Sequence, residues 1–309
     1  MELSLFDLHC DTAFEMLMQD QRLSQNTLAV SLDKARKYDR YVQVMALWTP
    51  ASLDDEAGWH HVNAMIRMLG SDPALVQKEA FLCSRCPPED NTVPAFLLSL
   101  EDARILCGST DRLEELLACG VRIVTPMWKG LSPLGGAHDT NVGLTDLGKR
   151  LLRHAVSIGM TLDVSHASVR AAEDMLEIGE EFTRPIVATH SNAKGICPVS
   201  RNLSDGQIKR IVQSDGIIGI NLYPQFLRQE DDADVTDVLR HVEYMCALGA
   251  EHALALGCDM DGAPMPSGLD TVAALPHLAE ALLAHNYTET QVRAIFFENA
   301  YRFASTYFD

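Results

Sequence analysis

Apolar residues along the chain come in two textures that alternate from end to end. Short, nearly continuous apolar runs recur at LSLFDLH (3–9), YVQVMALW (41–48), AFLLSL (95–100), VRIVTP (121–126), MTLDVS (160–165), PIVATH (185–190), GIIGIN (216–221) and ALALGC (253–258). Runs of this length without polar alternation read as strands covered on both faces. Between them the apolar residues take a helical period. In TDLGKRLLRHAVSIG, Thr145 stands as N-cap, Leu147, Leu151, Leu152, Ala155 and Val156 share one face, and Gly159 stops the helix. SDGQIKRIVQSDG repeats the design from Ser204 to Gly216, and TETQVRAIFFENAYRF opens on a capping box, Thr288 with Gln291. ASVRAAEDMLEIG and VTDVLRHVEYMCALG follow the same period.

Eight strands alternating with helices predict an α/β fold, a (β/α)8 TIM barrel. The competing architecture is a doubly wound open sheet, which places a Gly-rich phosphate loop after its first strand. Here the first strand runs into His9-Cys10-Asp11-Thr12, the wrong chemistry for that loop. No internal repeat, low-complexity segment or Pro/Gly/Ser linker marks a boundary, so residues 1–309 are expected to form one barrel domain.

Composition narrows the function classes. A hydrophobic fraction of 47% with 22% charged residues is ordinary for a globular chain, and 309 residues suit one closed barrel. The net charge of -18 and the absence of a basic run argue against nucleic-acid partners. The start, MELSLFDLHC, lacks a signal peptide's charged n-region, and no window nears the roughly 18 apolar residues of a membrane span. The 8 cysteines are dilute and several sit in apolar runs, as buried free thiols do. A reduced, cytoplasmic protein without a membrane anchor is the expectation. In CSRC, Cys83 and Cys86 have no second ligand pair nearby and are followed by Pro87-Pro88, so surface-loop thiols are expected there.

In a barrel, functional side chains gather at the carboxyl ends of the strands. The first strand ends in His9 and Asp11, the third in Glu101, the fifth in His166, the sixth in His190 and the eighth in Asp259. Each alone has a bland reading, since a strand-end histidine is usually just solvated and a strand-end carboxylate often caps the next helix; Asp261, beside Gly262, fits such a turn. Taken together, residues from five distant segments converge on one rim. His9 and Asp11 alternate and therefore share a face, which leaves Cys10 pointing away as a packing residue. Three imidazoles with two carboxylates suit zinc, and Glu101 can bridge two ions through its two oxygens. Such a pair can hold a hydroxide and polarise a carbonyl, with Asp259 passing the proton to the leaving group.

The same segments resemble the membrane dipeptidase (renal dipeptidase, peptidase M19) family, within the amidohydrolase-like metal-dependent hydrolases. DLHCDT, LEDA, DVSHAS, THSNAKGICPVSRNLSD, GCDMDG and ENAYRF match the family's motifs in order, from about residue 5 to 305. The resemblance implies two zinc ions per chain, one on His9 and Asp11 and one on His166 and His190, with Glu101 between them. It also implies that Arg201 binds the substrate's terminal carboxylate, a task suited to a planar guanidinium, and that Asp259 transfers the proton. One departure stands out: Trp128 occupies the position of a family histidine that contacts the scissile carbonyl. Its ring can wall a side-chain pocket and its N–H can donate. Mammalian members are secreted and membrane-anchored, and neither signal is visible here.

The leading expectation is thus a binuclear zinc dipeptidase acting on small dipeptides with a free carboxyl terminus, as a possible homodimer. An amidohydrolase for another amide, such as an N-acyl amino acid or lactam, is the alternative that Trp128 keeps open. A metal-dependent binding protein that kept the barrel without catalysis is the third.

Overall fold

The computed structural model describes residues 2–229 and 232–308. Its barrel strands are β1 (Leu5–Cys10), β2 (Tyr41–Leu47), β3 (Ala95–Glu101), β4 (Val121–Thr125), β5 (Thr161–Leu162), β6 (Ile218–Ile220) and β7 (Leu254–Leu256). They pair in parallel in the order β5-β4-β3-β2-β1-β7-β6. The two ends of this row meet through residues 187 and 188, which bridge in parallel to Asp163 and Ile218. That eighth position completes the ring, and the fold is a TIM-like α/β barrel. A short extra strand, Phe81–Leu82, pairs with the start of β3.

The ring explains why the strands had to be apolar on both faces. Phe6, Leu8, Val42, Val44, Ala95, Leu97, Ile123, Val187 and Ala255 pack in one cluster with Phe297, Phe303 and Phe308 from the carboxyl-terminal stretch of the chain. The alternate residues Tyr41, Met45, Leu47, Phe96, Leu98 and Leu100 pack in a second, larger cluster with the surrounding helices. On β3 the interior parity runs Ala95, Leu97, Ser99, Glu101, so ordinary strand alternation carries the Glu101 carboxylate to the mouth of the barrel.

The helices begin where their caps predicted. Thr145 Oγ1 accepts from Gly148 N at 3.0 Å ahead of helix Asp146–Ser157. Complete capping boxes start helix Asp205–Gln213, from Ser204 and Gln207, and helix Glu289–Arg293, from Thr288 and Gln291. The last helical stretch is less regular than its sequence implied, with one wide π turn, Ala294–Glu298, before helix Asn299–Tyr307.

Three segments depart from expectation. The runs at 160–165 and 185–190 form only β5 and the bridged pair at 187–188. The physical reason is Asp163, whose Oδ1 accepts from Ser165 N at 2.8 Å and from Thr189 N at 3.0 Å. Amides that a longer ladder would have used go to a side chain instead. The CSRC segment is also more enclosed than a surface loop: both thiols are half-buried, and Cys86 N donates to Phe308 O at 3.3 Å. Among the described residues no helix is long and apolar enough to cross a membrane.

Candidate active site

At the carboxyl end of β1 the register against β2 slips, the four residues Asp7 to Cys10 of β1 matching the three residues Gln43 to Met45 of β2. Without that bulge, alternation from Phe6 and Leu8 in the interior would turn His9 outward. Asp7 supports the irregularity. Its buried Oδ1 accepts from His9 N at 3.0 Å and from Cys258 N at 3.1 Å, joining the ends of β1 and β7. Cys10 is fully buried and belongs to the cluster on the helix side, so it faces away from the mouth.

Glu101 stands at the centre of what converges there. Its Oε1 lies 2.9 Å from His166 Nε2 and 3.5 Å from His190 Nε2, while Oε2 lies 3.5 Å from His9 Nε2. His9 Nε2 is in turn 3.7 Å from Asp11 Oδ2 and 3.7 Å from Asp259 Oδ1. His166 and His190 bring their Nε2 atoms within 3.0 Å of each other. Each carboxylate oxygen of Glu101 thereby faces a different set of nitrogen donors.

The tautomer of His166 follows from its back side. Its Nδ1 is 3.0 Å from the carbonyl oxygen of Trp128, which can only accept, so the proton is on Nδ1 and Nε2 presents a lone pair. His9 Nε2 and Asp11 Oδ1 are buried with no hydrogen-bond partner. Lone pairs and carboxylates crowded to this degree, with orphaned buried atoms among them, fit a site for divalent cations. The sets His9–Glu101–His190 and His9–Asp11–Asp259 each place their donor atoms close enough to share an ion.

The groups also perturb one another electrostatically. Burial works against charge on His9, but the Glu101 and Asp11 carboxylates outweigh it and hold the imidazole well above the ordinary histidine range. Burial and the neighbouring Glu101 and Asp259 carboxylates push Asp11 up to about 7. Burial, helped by the charges of His9 and Arg201, holds His190 well below the usual range, and burial with Arg201 lowers His166. The two imidazoles facing Glu101 Oε1 are thus kept neutral, the form that ligates.

Other residues shape the surroundings. Asn221 Nδ2 donates to Asp259 Oδ2 at 3.0 Å, orienting that carboxylate. A Cβ on Gly262 would lie 1.9 Å from Asp11 Oδ2 and 2.9 Å from Asp259 Oδ1, so only glycine leaves room for the pair. Asp261 points elsewhere: its oxygens take Thr12 Oγ1 at 2.6 Å and Ala29 N at 2.7 Å, tying the loop after β7 to the first helix. A cavity of about 430 Å³ opens over the cluster, walled by Phe14, Trp48, Trp128, Tyr223, Phe226 and Pro264. Trp48 stands edge-on to both Phe14 and Trp128, with ring centroids 4.9 Å and 5.3 Å apart.

Arg201 is buried beside this cavity at 4% exposure, its guanidinium 5.4 Å from the Phe226 ring. It donates to Ser191 Oγ at 3.3 Å and His190 O at 3.4 Å, while Nε has no partner. Among the described residues no carboxylate forms an ion pair with it. His138 lies next to the same corner, with Nδ1 2.8 Å from Ser200 Oγ and its ring 6.1 Å from that of His166. Burial and the nearby Arg201 lower its pKa to about 4.

All eight residues singled out by sequence, His9, Asp11, Glu101, Trp128, His166, His190, Arg201 and Asp259, therefore lie at or beside one mouth. Asn221, Gly262, His138, Trp48 and Phe14 were not anticipated. The glycine and the asparagine had a visible signal, the turn GCDMDG and a polar residue ending an apolar run; Trp48 and Phe14 had none.

Comparison with known proteins gives a consistent picture. The family model for membrane dipeptidase, peptidase family M19, matches residues 1–307. An uncharacterized protein in the pqqA 5′ region of Klebsiella pneumoniae is 34% identical over 227 residues, 70% of this chain and 82% of that one. The crystal structure of dipeptidase AC, a metallopeptidase of family M19, superposes with a TM-score of 0.89 at 25% identity, covering 100% of this chain and 99% of that one. A metallopeptidase from Rhodobacter sphaeroides, solved with a phosphinate mimic of the dipeptide L-Ala-D-Ala, shares the fold with a TM-score of 0.91. It is 24% identical, with 99% and 100% of the two chains covered.

Proposed function

The chain belongs to the membrane dipeptidase family, peptidase family M19, and from that premise we propose that it is a binuclear zinc dipeptidase for small dipeptides with a free carboxyl terminus. His9 and Asp11 would hold one ion, His166 and His190 the other, with one oxygen of Glu101 toward each. When bound, such a pair supplies Lewis acidity that makes water a nucleophile at neutral pH and polarises the scissile carbonyl.

The observation that carries the dipeptide reading is Arg201. A buried guanidinium with no carboxylate partner among the described residues and an unpaired Nε keeps its charge at a desolvation cost. A substrate carboxylate offers the missing partner and sets the distance from that anchor to the bond that is cut. Asp259, whose Oδ1 faces the cluster while Asn221 holds Oδ2, would take a proton and deliver it to the leaving amine. The aromatic wall excludes water and receives the amino-terminal side chain.

The test is hydrolysis of a broad panel of L,L and L,D dipeptides by purified protein, with zinc measured on the same sample. About two zinc ions per chain and chelator-sensitive release of free amino acids are expected; a metal-loaded sample that cleaves no member refutes the proposal. Trp128 supports a second reading, hydrolysis of another amide such as an N-acyl amino acid or lactam. Turnover of those compounds in preference to every dipeptide would favour it.

A further inference from the structure

His190 ends the bridged segment at residues 187–188 with its ring fully buried, Nε2 toward Glu101 and Nδ1 2.8 Å from Thr189 Oγ1. Unlike the carbonyl behind His166, a hydroxyl can either donate or accept, so this contact alone leaves the imidazole tautomer open. The next contact closes the question. Thr189 Oγ1 lies 2.5 Å from Asp163 Oδ2. A carboxylate oxygen accepts only, so the single hydroxyl proton of Thr189 points at Asp163 and its lone pair points at His190. The proton of the imidazole must then sit on Nδ1, and Nε2 is left as a lone pair aimed at Glu101 and His166.

Asp163 cannot easily yield. It is fully buried, and its Oδ1 accepts from two backbone amides, Ser165 N and Thr189 N. Its Oδ2 accepts from Thr125 Oγ1 at 2.8 Å as well as from Thr189. Four donors thus converge on one carboxylate, and the two amides fix which oxygen faces which neighbour. The Thr189 backbone is packed tightly against two glycines: a Cβ on Gly257 would lie 1.7 Å from its carbonyl oxygen and one on Gly219 2.0 Å from it.

We propose that Asp163 and Thr189 are positioning residues that lock His190 in the Nδ1–H tautomer and so make its Nε2 a permanent metal-directed donor. The inference rests on the reading that His190 is a metal ligand, and it adds the two residues that set that ligand's protonation without touching the ion. Hydrogen-bonded partners behind ligating imidazoles tune metal affinity by about 10- to 100-fold.

The relay has a polarity, and that makes it testable. In Asp163→Asn the two backbone amides hold the amide oxygen at the Oδ1 position, which turns the NH2 group toward Thr189. The hydroxyl must then accept from the amide and donate to His190 Nδ1, driving the proton to Nε2. Thr189→Val removes the relay while keeping shape, and Thr189→Ser restores it. Nitrogen-15 NMR of the imidazoles in zinc-free protein reads the tautomer, and competition with a chromogenic chelator reads zinc affinity. Expected are an Nδ1–H tautomer in the wild type and Thr189→Ser, a mixture in Thr189→Val, and an Nε2–H tautomer in Asp163→Asn. Zinc affinity at one site is expected to fall about 10- to 100-fold in Thr189→Val and Asp163→Asn, with Thr189→Ser within about threefold of wild type. An Nε2–H tautomer in the wild type, or wild-type zinc affinity in folded Thr189→Val, overturns the proposal. His190→Ala separates the two layers: if it keeps both ions at wild-type affinity while the wild-type tautomer is Nδ1–H, the ligand reading fails and takes the inference about metal with it.

Discussion

Arg201 offers the sharpest perturbation because its role and its cost can be separated by choice of substrate. Arg201→Met keeps an unbranched apolar stem but removes the guanidinium, with its charge and its contact with the Phe226 ring. In the wild type the guanidinium is 4% exposed and holds only two long hydrogen bonds, 3.3 Å and 3.4 Å, plus a free Nε. Docking a carboxylate there creates charge-assisted bonds in a desolvated setting, and removing one partner of such a pair costs about 3–4 kcal/mol. At about 1.4 kcal/mol per decade, kcat/KM on a free dipeptide should fall roughly 10²- to 10³-fold. The carboxyl-terminal amide of the same dipeptide cannot neutralise the guanidinium, so the wild type handles it poorly and the variant changes by less than about fivefold. The assay is steady-state hydrolysis of both compounds by both proteins, with zinc content checked on each sample. Equal losses on the acid and the amide, at full zinc occupancy, would refute carboxylate recognition by Arg201.

Four further outcomes follow from the same geometry. Asp259→Asn keeps the hydrogen bond to Asn221 within reach but removes the base, so kcat should drop about 10²- to 10⁴-fold with KM little changed; steady-state kinetics decide, and an unchanged kcat excludes proton transfer by Asp259. Gly262→Ala forces a methyl within 1.9 Å of Asp11 Oδ2, so zinc stoichiometry measured by elemental analysis should fall below two while the protein stays folded. Cys10→Ala should keep both ions, because the thiol faces the helix layer; lost zinc would reverse that assignment. His241 is buried and neutral, accepting from Ala193 N and donating to Leu227 O, and burial lowers its pKa to about 4. The unfolded chain takes up a proton near pH 6.5 that the native state refuses, so stability is fullest above that pH and falls by up to roughly 3 kcal/mol toward pH 4. Urea unfolding of the wild type and His241→Gln across that range should show a shallower slope in the variant, and parallel slopes would discount His241.

The barrel was legible because its main determinant is repetitive. β2 and β3 need only apolar residues in both parities, since Val42, Val44, Ala95 and Leu97 fill the interior while Tyr41, Met45, Phe96 and Leu98 meet the helices. Helix starts were legible for a different reason: Thr145, Ser204 and Thr288 each act on the amide three residues onward, inside a short window of sequence. The places where the reading overran, at 160–165 and 185–190, are where one buried side chain, Asp163, takes the amide of Ser165 beside it and that of Thr189, 26 residues away in sequence. No local pattern records such a contact.

The site obeys the same division. Which residues stand at strand ends follows from the strands, and this brought the carboxylates and imidazoles to one rim. How each imidazole is turned and protonated does not follow, because that depends on what lies behind it: a carbonyl of Trp128 for His166, and the hydroxyl of Thr189 for His190. Even the orientation of His9 was anticipated for an incomplete reason. Alternation alone puts His9 and Asp11 on one face, but it is the bulge between Asp7 and Cys10 that makes this the inner face. Asp7 and Asp163 play parallel parts, each interrupting an apolar run and each accepting the amide two residues onward, as D-L-H and D-V-S. A buried carboxylate in a barrel strand is costly unless backbone donors meet it. The pattern of an aspartate inside an apolar run, shortly before a histidine, therefore marks where regular pairing is interrupted next to a histidine at the barrel mouth, a signal that the hydrophobic pattern treats as noise.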